Sequence, residues 1–370
     1  MAWALLISAL PLIFVGPLAG HLADRLNRKL LLNRGHVIRA AITFCAISAT
    51  VHRFHFIGYI AFGILLGLTR VLYTARATAF PRLVRKHELV AADSSSLIIG
   101  VIAGSVGASI GLMLTKFSPA LALLVATFGQ CAAAWLYGRI SVDLGRGTPR
   151  RRHGNLASVF AQLRKQKTKF AMFATASHRF VLGACIASIS LLVDSAYGLR
   201  TTGYVAVLGF SAAGAFCGSL SAEWVSEHLP RRSITVIAFS ASSAVLLISS
   251  LISSPRIALI SISVASFLFQ NLRVRSDATI QANVSRSNIG QVFAAYDMLY
   301  NIAFIVGAIL GIGLNSQFSH SVVFATASIG FAVMACVFAA INDGKTDVEK
   351  IEELHPSIWR KSGKNSAIAV

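Results

Sequence analysis

The sequence predicts an all-α polytopic membrane protein, a helical bundle built as two pseudo-symmetric halves, and three observations carry that expectation. Apolar residues make up 55% of the 370-residue chain and charged ones only 13%, about half the roughly 25% charge of an ordinary soluble domain. Eleven apolar stretches recur along the whole length, each near the roughly 20 residues that a bilayer core requires. Lys and Arg, which give the chain its net charge of +20, fall almost entirely in alternate connections between those stretches.

The first stretch, residues 1–19, begins at Met1 without a basic region before it, so it reads as a helix and not as a cleavable signal peptide. Residues 35–51, 54–74, 94–115 and 119–138 complete a first half, 1–138. A second half, 172–341, holds 172–193, 203–222, 233–254, 256–272, 291–314 and 320–341. Spanning strands would alternate in polarity, whereas runs such as Ile234 to Ile252 are continuous. Between the halves, linker 139–171 carries nine Lys or Arg against the single Asp143, with Gly145, Gly147, Pro149 and Gly154. Its stretch Leu156 to Lys167 suits either a basic amphipathic helix on an anionic leaflet or an unstructured positive loop. Residues 342–370 form a polar tail.

Charge placement sets the orientation. With the connection Gly20 to Arg34 in the cytoplasm, the linker and tail fall there too, and only Arg53, Lys116, Arg200 and Arg256 lie on the far side. This asymmetry explains the net charge by topology in a cell membrane and calls for no nucleic acid. The five cysteines all fall inside apolar stretches with no metal-ligand spacing, and read as small packing residues. No phosphate loop or nucleophile elbow is present, so an enzyme, a metal site and a cofactor are not expected.

Internal repetition supports the two halves. Gly20, Leu22 and the basic pair Arg28–Lys29 recur as Gly218, Leu220 and Arg231–Arg232, and Ala77, Thr78 and Arg85 recur as Ala278, Thr279 and Arg286. The two offsets, 198 and 201 residues, agree on a tandem repeat about an axis along the membrane normal.

Three motifs bear on function. The connection Gly20-His21-Leu22-Ala23-Asp24-Arg25-Leu26-Asn27-Arg28-Lys29 resembles the signature between the second and third helices of the major facilitator superfamily. Asn27 stands at the second glycine of that pattern and tolerates the left-handed turn expected there. Gly20 permits close helix approach, and Asp24 can face the positive end of a neighbouring helix, where an anion gains roughly 0.3 to 1 kcal/mol. The resemblance implies that this neighbour is the eleventh family helix, here starting after Ser287 and Asn288, both good N-caps. Gly20, Asp24, Arg25, Arg28 and Lys29 would then form a cytoplasmic gate.

Gly67-Leu68-Thr69-Arg70, Ala75-Arg76-Ala77 and Phe80-Pro81-Arg82-Leu83-Val84 resemble the fourth helix and following loop of macrolide-efflux-like exporters in that superfamily. Arg70 stands where the family has a membrane arginine implicated in proton coupling. Burying an arginine costs roughly 2.5 to 3.5 kcal/mol on insertion scales, which makes Arg70 a functional candidate, although it is near enough to the cytoplasm to snorkel. Gly107-Ala108-Ser109-Ile110-Gly111 resembles the antiporter signature G-P-x-x-G-G with Ala108 for proline and Leu112 for the last glycine. Gly104, Gly107 and Gly111 serve equally well as ordinary helix packing.

Asp297 lies two turns into its segment and is the expected proton- or cation-coupling carboxylate, or else a wet residue at the cytoplasmic mouth. Asp194, at an outer end, is second. His178 and Arg179, at the inner start of a helix, read as anchors. Matched to the family, the eleven stretches are helices two to twelve, so the natural start is expected upstream of Met1. Together these readings predict a monomeric, proton-coupled exporter of amphipathic small molecules in the lipid bilayer. A non-transporting or truncated membrane protein and a small-solute importer are the alternatives.

Overall fold

The computed structural model describes residues 15–16, 18–52, 54–145, 156–198, 202–285 and 288–341. Residues 18–25 form α1. The first half continues with α2 (Arg28–Val51), α3 (His55–Ala77), the short α4 (Phe80–Leu83), α5 (Leu89–Thr115) and α6 (Pro119–Arg139). After α7 (Leu156–Leu163) come α8 (Gln166–Tyr197), α9 (Thr202–His228), α10 (Arg231–Ile252), α11 (Pro255–Asn283), α12 (Ile289–Gln317) and α13 (His320–Ala340). No strand occurs among the described residues, and ten of the helices in them are long and apolar enough to cross a membrane. The eleventh expected stretch, 1–19, falls mostly outside the described residues. Large apolar side chains such as Phe56, Tyr59, Leu112 and Leu251 stand about three-quarters exposed, as expected of a surface whose solvent is hydrocarbon.

Each half repeats the same pairing. In the first, α2 packs along α6; in the second, α10 packs along α13, α9 along α11 and α8 along α12. The repeat extends to helix starts: α2 opens on Arg28 and α10 on Arg231, each only 2% exposed. Asn27 departs from the expected left-handed turn. Its φ is −64°, and its side chain accepts from the backbone N–H of Lys29 (3.0 Å) and Leu30 (3.4 Å), making it the N-cap of α2.

Several spans run further than the apolar stretches that predict them. Helix α11 continues eleven residues beyond Leu272 to Asn283, α5 begins at Leu89 and α8 at Gln166. The linker stretch is helical as α7, but it packs on the protein as well: Val159 is buried with Ala77, Ile280, Ile289 and Phe293.

Packing also separates two sequence-matched segments. Val106-Gly107-Ala108 and Gly111 of α5 recur 200 residues on as Val306-Gly307-Ala308 and Gly311 of α12. A Cβ added at Gly307 would strike the carbonyl of Phe180, and one at Gly311 would lie 2.5 Å from the carbonyl of Ala184, so these glycines let α12 lie directly on α8. At Gly104, Gly107 and Gly111 no described residue comes within 4 Å of such a Cβ. The packing expected of this stripe is therefore not made with any described residue, and α5 is buried only near its start, at Leu89, Val90, Asp93 and Ser94.

Candidate functional site

The hydrogen bonds and ion pairs that join the halves lie at one end of the bundle, where α1, α3 and α5 of the first half meet α11 and α12 of the second. Asp24 closes the last turn of α1. Its Oδ1 accepts from the backbone N–H of Gly290 at 2.7 Å, and its Oδ2 from that of Gln291 at 2.9 Å. These are the second and third residues of α12, the amides that a helix leaves for its N-cap side chain. Asn288 occupies the N-cap position of α12 without making a side-chain cap, so Asp24 supplies that cap from the other half; Ser287 lies outside the described residues.

Gly20 makes the approach possible. A Cβ there would sit 2.8 Å from both the Cα of Gln291 and the carbonyl oxygen of Gly290, closer than real side chains tolerate. Burial pushes the Asp24 carboxyl up to about 6, against the opposing pull of the Gln291 and Gly290 amides and of Arg28. Arg28 is buried beneath it, with Nε donating to Thr78 Oγ1 at 3.0 Å; the Asp24 and Asp143 carboxylates both face its charge. Lys29 is half-buried and Arg25 is exposed at the rim. The structure thus sets Gly20 and Asp24 against α12, keeps Arg28 buried on Thr78, and leaves Arg25 exposed.

The pseudo-symmetric junction is built differently. Where α1 ends on Asp24, α9 reaches Ala222, which packs with Leu89 and Val90 of α5 and Val274 and Ala278 of α11. One junction sets a carboxylate on a helix start and the other sets an alanine among apolar side chains, so the repeat preserves the shape and not this contact.

One layer deeper, Arg70 of α3 and Asp297 of α12 form an ion pair at 3.5 Å, with side chains 31% and 7% exposed. Asp297 Oδ1 also accepts from the Tyr300 hydroxyl at 2.6 Å. Beside them, Arg273 of α11 donates from Nη2 to the hydroxyls of Tyr73 (2.7 Å) and Tyr300 (3.1 Å), with its Nε 3.8 Å from Asp277 Oδ2. Asp277 and Asp93 of α5 are both buried at this junction. Gln281 Nε2 donates to the carbonyl of Ala77 at 3.2 Å, tying α11 to the end of α3.

Tyr73, Asp93, Arg273 and Asp277 are absent from the sequence-based site. Asp93 precedes the stretch at 94–115, and Arg273 and Asp277 follow the one at 256–272, where charge reads as the water boundary. The available signal was helical spacing: Arg273 and Asp277 are four apart and share a helix face with Phe269 and Ile280.

Two further expectations resolve differently. Asp194 accepts from the Gly203 backbone N–H at 2.9 Å and so caps the start of α9. His178 is not at a helix start: with α8 beginning at Gln166, it lies roughly three turns in. It is fully buried among Phe239, Phe269 and Phe331, its Nε2 3.0 Å from Ser242 Oγ. Arg179 stacks on Phe304, 4.4 Å from the ring centre. A cavity of about 630 Å³ lined by Leu18, Leu22, Ile38, Ile64 and Leu68 lies within the first half. No cluster able to hold a metal ion occurs among the described residues.

Two helical halves latched at one end by a polar seam define a membrane transporter. The chain belongs to the Major Facilitator Superfamily, which residues 1–274 match. It is similar to uncharacterised MFS-type transporters of Mycobacterium tuberculosis and Mycobacterium bovis, each 25% identical over 358 residues, spanning 88% of this chain and 78% of the relative. The fold is shared with the human organic anion transporter MFSD10 (TM-score 0.72, 12% identity, 90% of this chain and 82% of that one). It is shared also with the E. coli fucose:proton symporter FucP (TM-score 0.65, 17% identity, 93% and 91%). A bacterial homologue of the iron transporter ferroportin in an outward-facing state has it too (TM-score 0.65, 13% identity, 90% and 88%). Proteins of this family transport small molecules, often with coupled ions, and are generally not enzymes.

Proposed function

We propose that the chain is a proton-coupled exporter of amphipathic small molecules, working by alternating access as a monomer in the cell membrane. The observation that carries this reading is the Arg70–Asp297 pair. It joins the two halves one layer beneath the Asp24 latch, where a carboxylate that gains a proton releases its arginine and frees the halves to rock. Asp24 and Arg28 hold the cytoplasmic end shut between turnovers. The basic linker and the tail lie in the cytoplasm, supported by the charge asymmetry of the connections, which makes the latched arrangement outward-facing. Efflux and the macrolide-exporter branch rest on the resemblance of Gly67 to Val84.

The test is accumulation of a fluorescent amphipathic dye in cells expressing the chain, with and without a proton gradient. Lowered accumulation that depends on the gradient and is lost in Asp297→Asn supports the proposal. Unchanged accumulation in both conditions, with the protein present in the membrane, removes it. Ala108, in place of proline in the antiporter-like stretch, leaves open the second reading, a small-solute importer. The same assay separates the two, because import raises dye content when the gradient is imposed.

A further inference from the structure

Helices α1, α2 and α3 enclose the cavity of about 630 Å³, a size within the roughly 300 to 1,000 Å³ of ligand pockets. Its origin lies in how α1 is held. Gly20 and Asp24 share one face of α1 and press it against α12. At about 100° per residue, Leu18, Leu22 and Leu26, which line the cavity, fall on the opposite face. Across from them Gly63 supplies no side chain, and a Cβ built there would meet nothing within 4 Å. Helix α1 thus leans on the other half and leaves room behind itself.

The lining decides what can enter. Among the residues that form it, Arg34 alone carries a polar side chain, and Arg34 makes no hydrogen bond or ion pair with any described residue. A trapped water needs about two to four polar partners and would find one, so the cavity suits hydrocarbon. Leu18, Ile38 and Ile64 stand about half exposed on a surface whose solvent is lipid, which gives an acyl chain a way in from the side. Val71 and Leu72 form the inner wall, at 5% and 6% exposure. Arg34 follows the start of α2 at Arg28 by six residues, about 9 Å along the axis. Helical side chains point back toward the helix start, so its guanidinium can rise from the apolar wall toward the headgroup level. A cation without a partner beside an apolar cavity matches an anion carried on an alkyl chain.

We propose that this cavity is a binding site for an anionic phospholipid, with one acyl chain between α1, α2 and α3 and the phosphate held by Arg34. The cavity opens onto the bilayer, so a phospholipid enters from its own solvent, whereas a free amphiphile must first leave water. The bound chain fills the space behind α1 and braces the helix that carries Gly20 and Asp24 toward α12. Placing the lipid in the cytoplasmic leaflet rests on the orientation proposed above; the cavity and its cation do not.

The test is photo-crosslinking of the full chain in phosphatidylcholine vesicles that carry a small share of either phosphatidylglycerol or phosphatidylcholine with a diazirine in its acyl chain, the labelled residues being found by peptide mass spectrometry. Phosphatidylglycerol should label Val71 and Leu72, which a chain lying on the outer surface does not reach. It should exceed phosphatidylcholine about fivefold, the equivalent of about 1 kcal/mol for one cation facing an anionic lipid. Arg34→Gln should bring the two lipids level, Arg34→Lys should keep the preference, and Ile64→Trp, which fills the cavity, should lower labelling by both. Val71 and Leu72 left unlabelled in the unaltered chain would mean that residues 1–14 or a second copy fill the cavity, and overturns the site. Equal labelling by the two lipids, or a preference that survives in Arg34→Gln, overturns it too. Displacement of the label by dilute octyl phosphate would assign the cavity to a free amphiphile and overturns the choice of lipid. Dye transport indifferent to the proton gradient, with the label in place, removes only the exporter reading; gradient-driven transport with the two lipids equal removes only this site.

Discussion

Asp24 and Gly290 stand 266 residues apart in the chain and are joined by a 2.7 Å hydrogen bond from the Gly290 amide to the Asp24 carboxylate. The N-cap of α12 is thus held by the other half, so that helix start is satisfied only while the halves are latched.

Asp24→Asn keeps the volume, but its amide nitrogen cannot accept the Gln291 N–H, which loses that partner. An unpaired buried donor costs about 1 to 3 kcal/mol, partly offset because the neutral side chain escapes the burial cost that pushes the Asp24 carboxyl up, so the latched form should weaken by about 1 kcal/mol. Spin-label distances across the α1–α12 contact should lengthen and transport should fall; unchanged distances would count against the latch.

Acid should favour the latch. The Asp24 carboxyl, at about 6 when buried, returns toward its ordinary value of 3.8 once the end opens. Between these two values the shut form binds the extra proton. Its advantage is complete below the lower value and is lost as pH rises through about 6. Asp24→Asn should reduce the protons released per opening in that range by about one, counted with a pH indicator.

Gly20→Ala should hold the end open, because its Cβ meets the α12 backbone at 2.8 Å and neither helix can yield locally. Gly107→Ala meets no described residue and should gain the helix preference of alanine, about 0.5 to 1 kcal/mol. Thermal unfolding in detergent should separate the two; an equal loss in both would contradict the packing.

Arg70→Asp combined with Asp297→Arg should recover part of the closure lost in either single variant, with a coupling of about 0.5 to 3 kcal/mol in a double-mutant cycle. Transport should not return with it, because the carboxyl then sits on α3 and no longer meets Tyr300. Additive effects on closure would show that the pair is not an interaction across the halves.

His178→Ala should cost about 2 to 4 kcal/mol of stability by leaving a hole among Phe239, Phe269 and Phe331, while leaving the dependence of transport on the proton gradient unchanged. A lost proton response in this variant would assign His178 a role that its packing does not suggest.

The sequence was sufficient for the helices because hydrocarbon selects continuous apolar runs whatever their neighbours. It also singled out Asp24, whose spacing from Gly20 and Arg28 serves a local turn, and Arg70 and Asp297 as isolated costs in apolar segments. It misplaced the ends of α5, α8 and α11, because apolarity marks where lipid begins and not where hydrogen-bonded turns stop. For that reason Asp93, Arg273 and Asp277 read as solvated charges, and His178 as an anchor.

Composition and pattern therefore determined that the chain lives in a bilayer as two repeated helical halves, since each apolar run answers to the solvent around it. Only the tertiary structure decided which end is latched, that Asp24 caps α12, and that Arg273 binds Tyr73, because the stability of a buried charge depends on partners contributed by the opposite half.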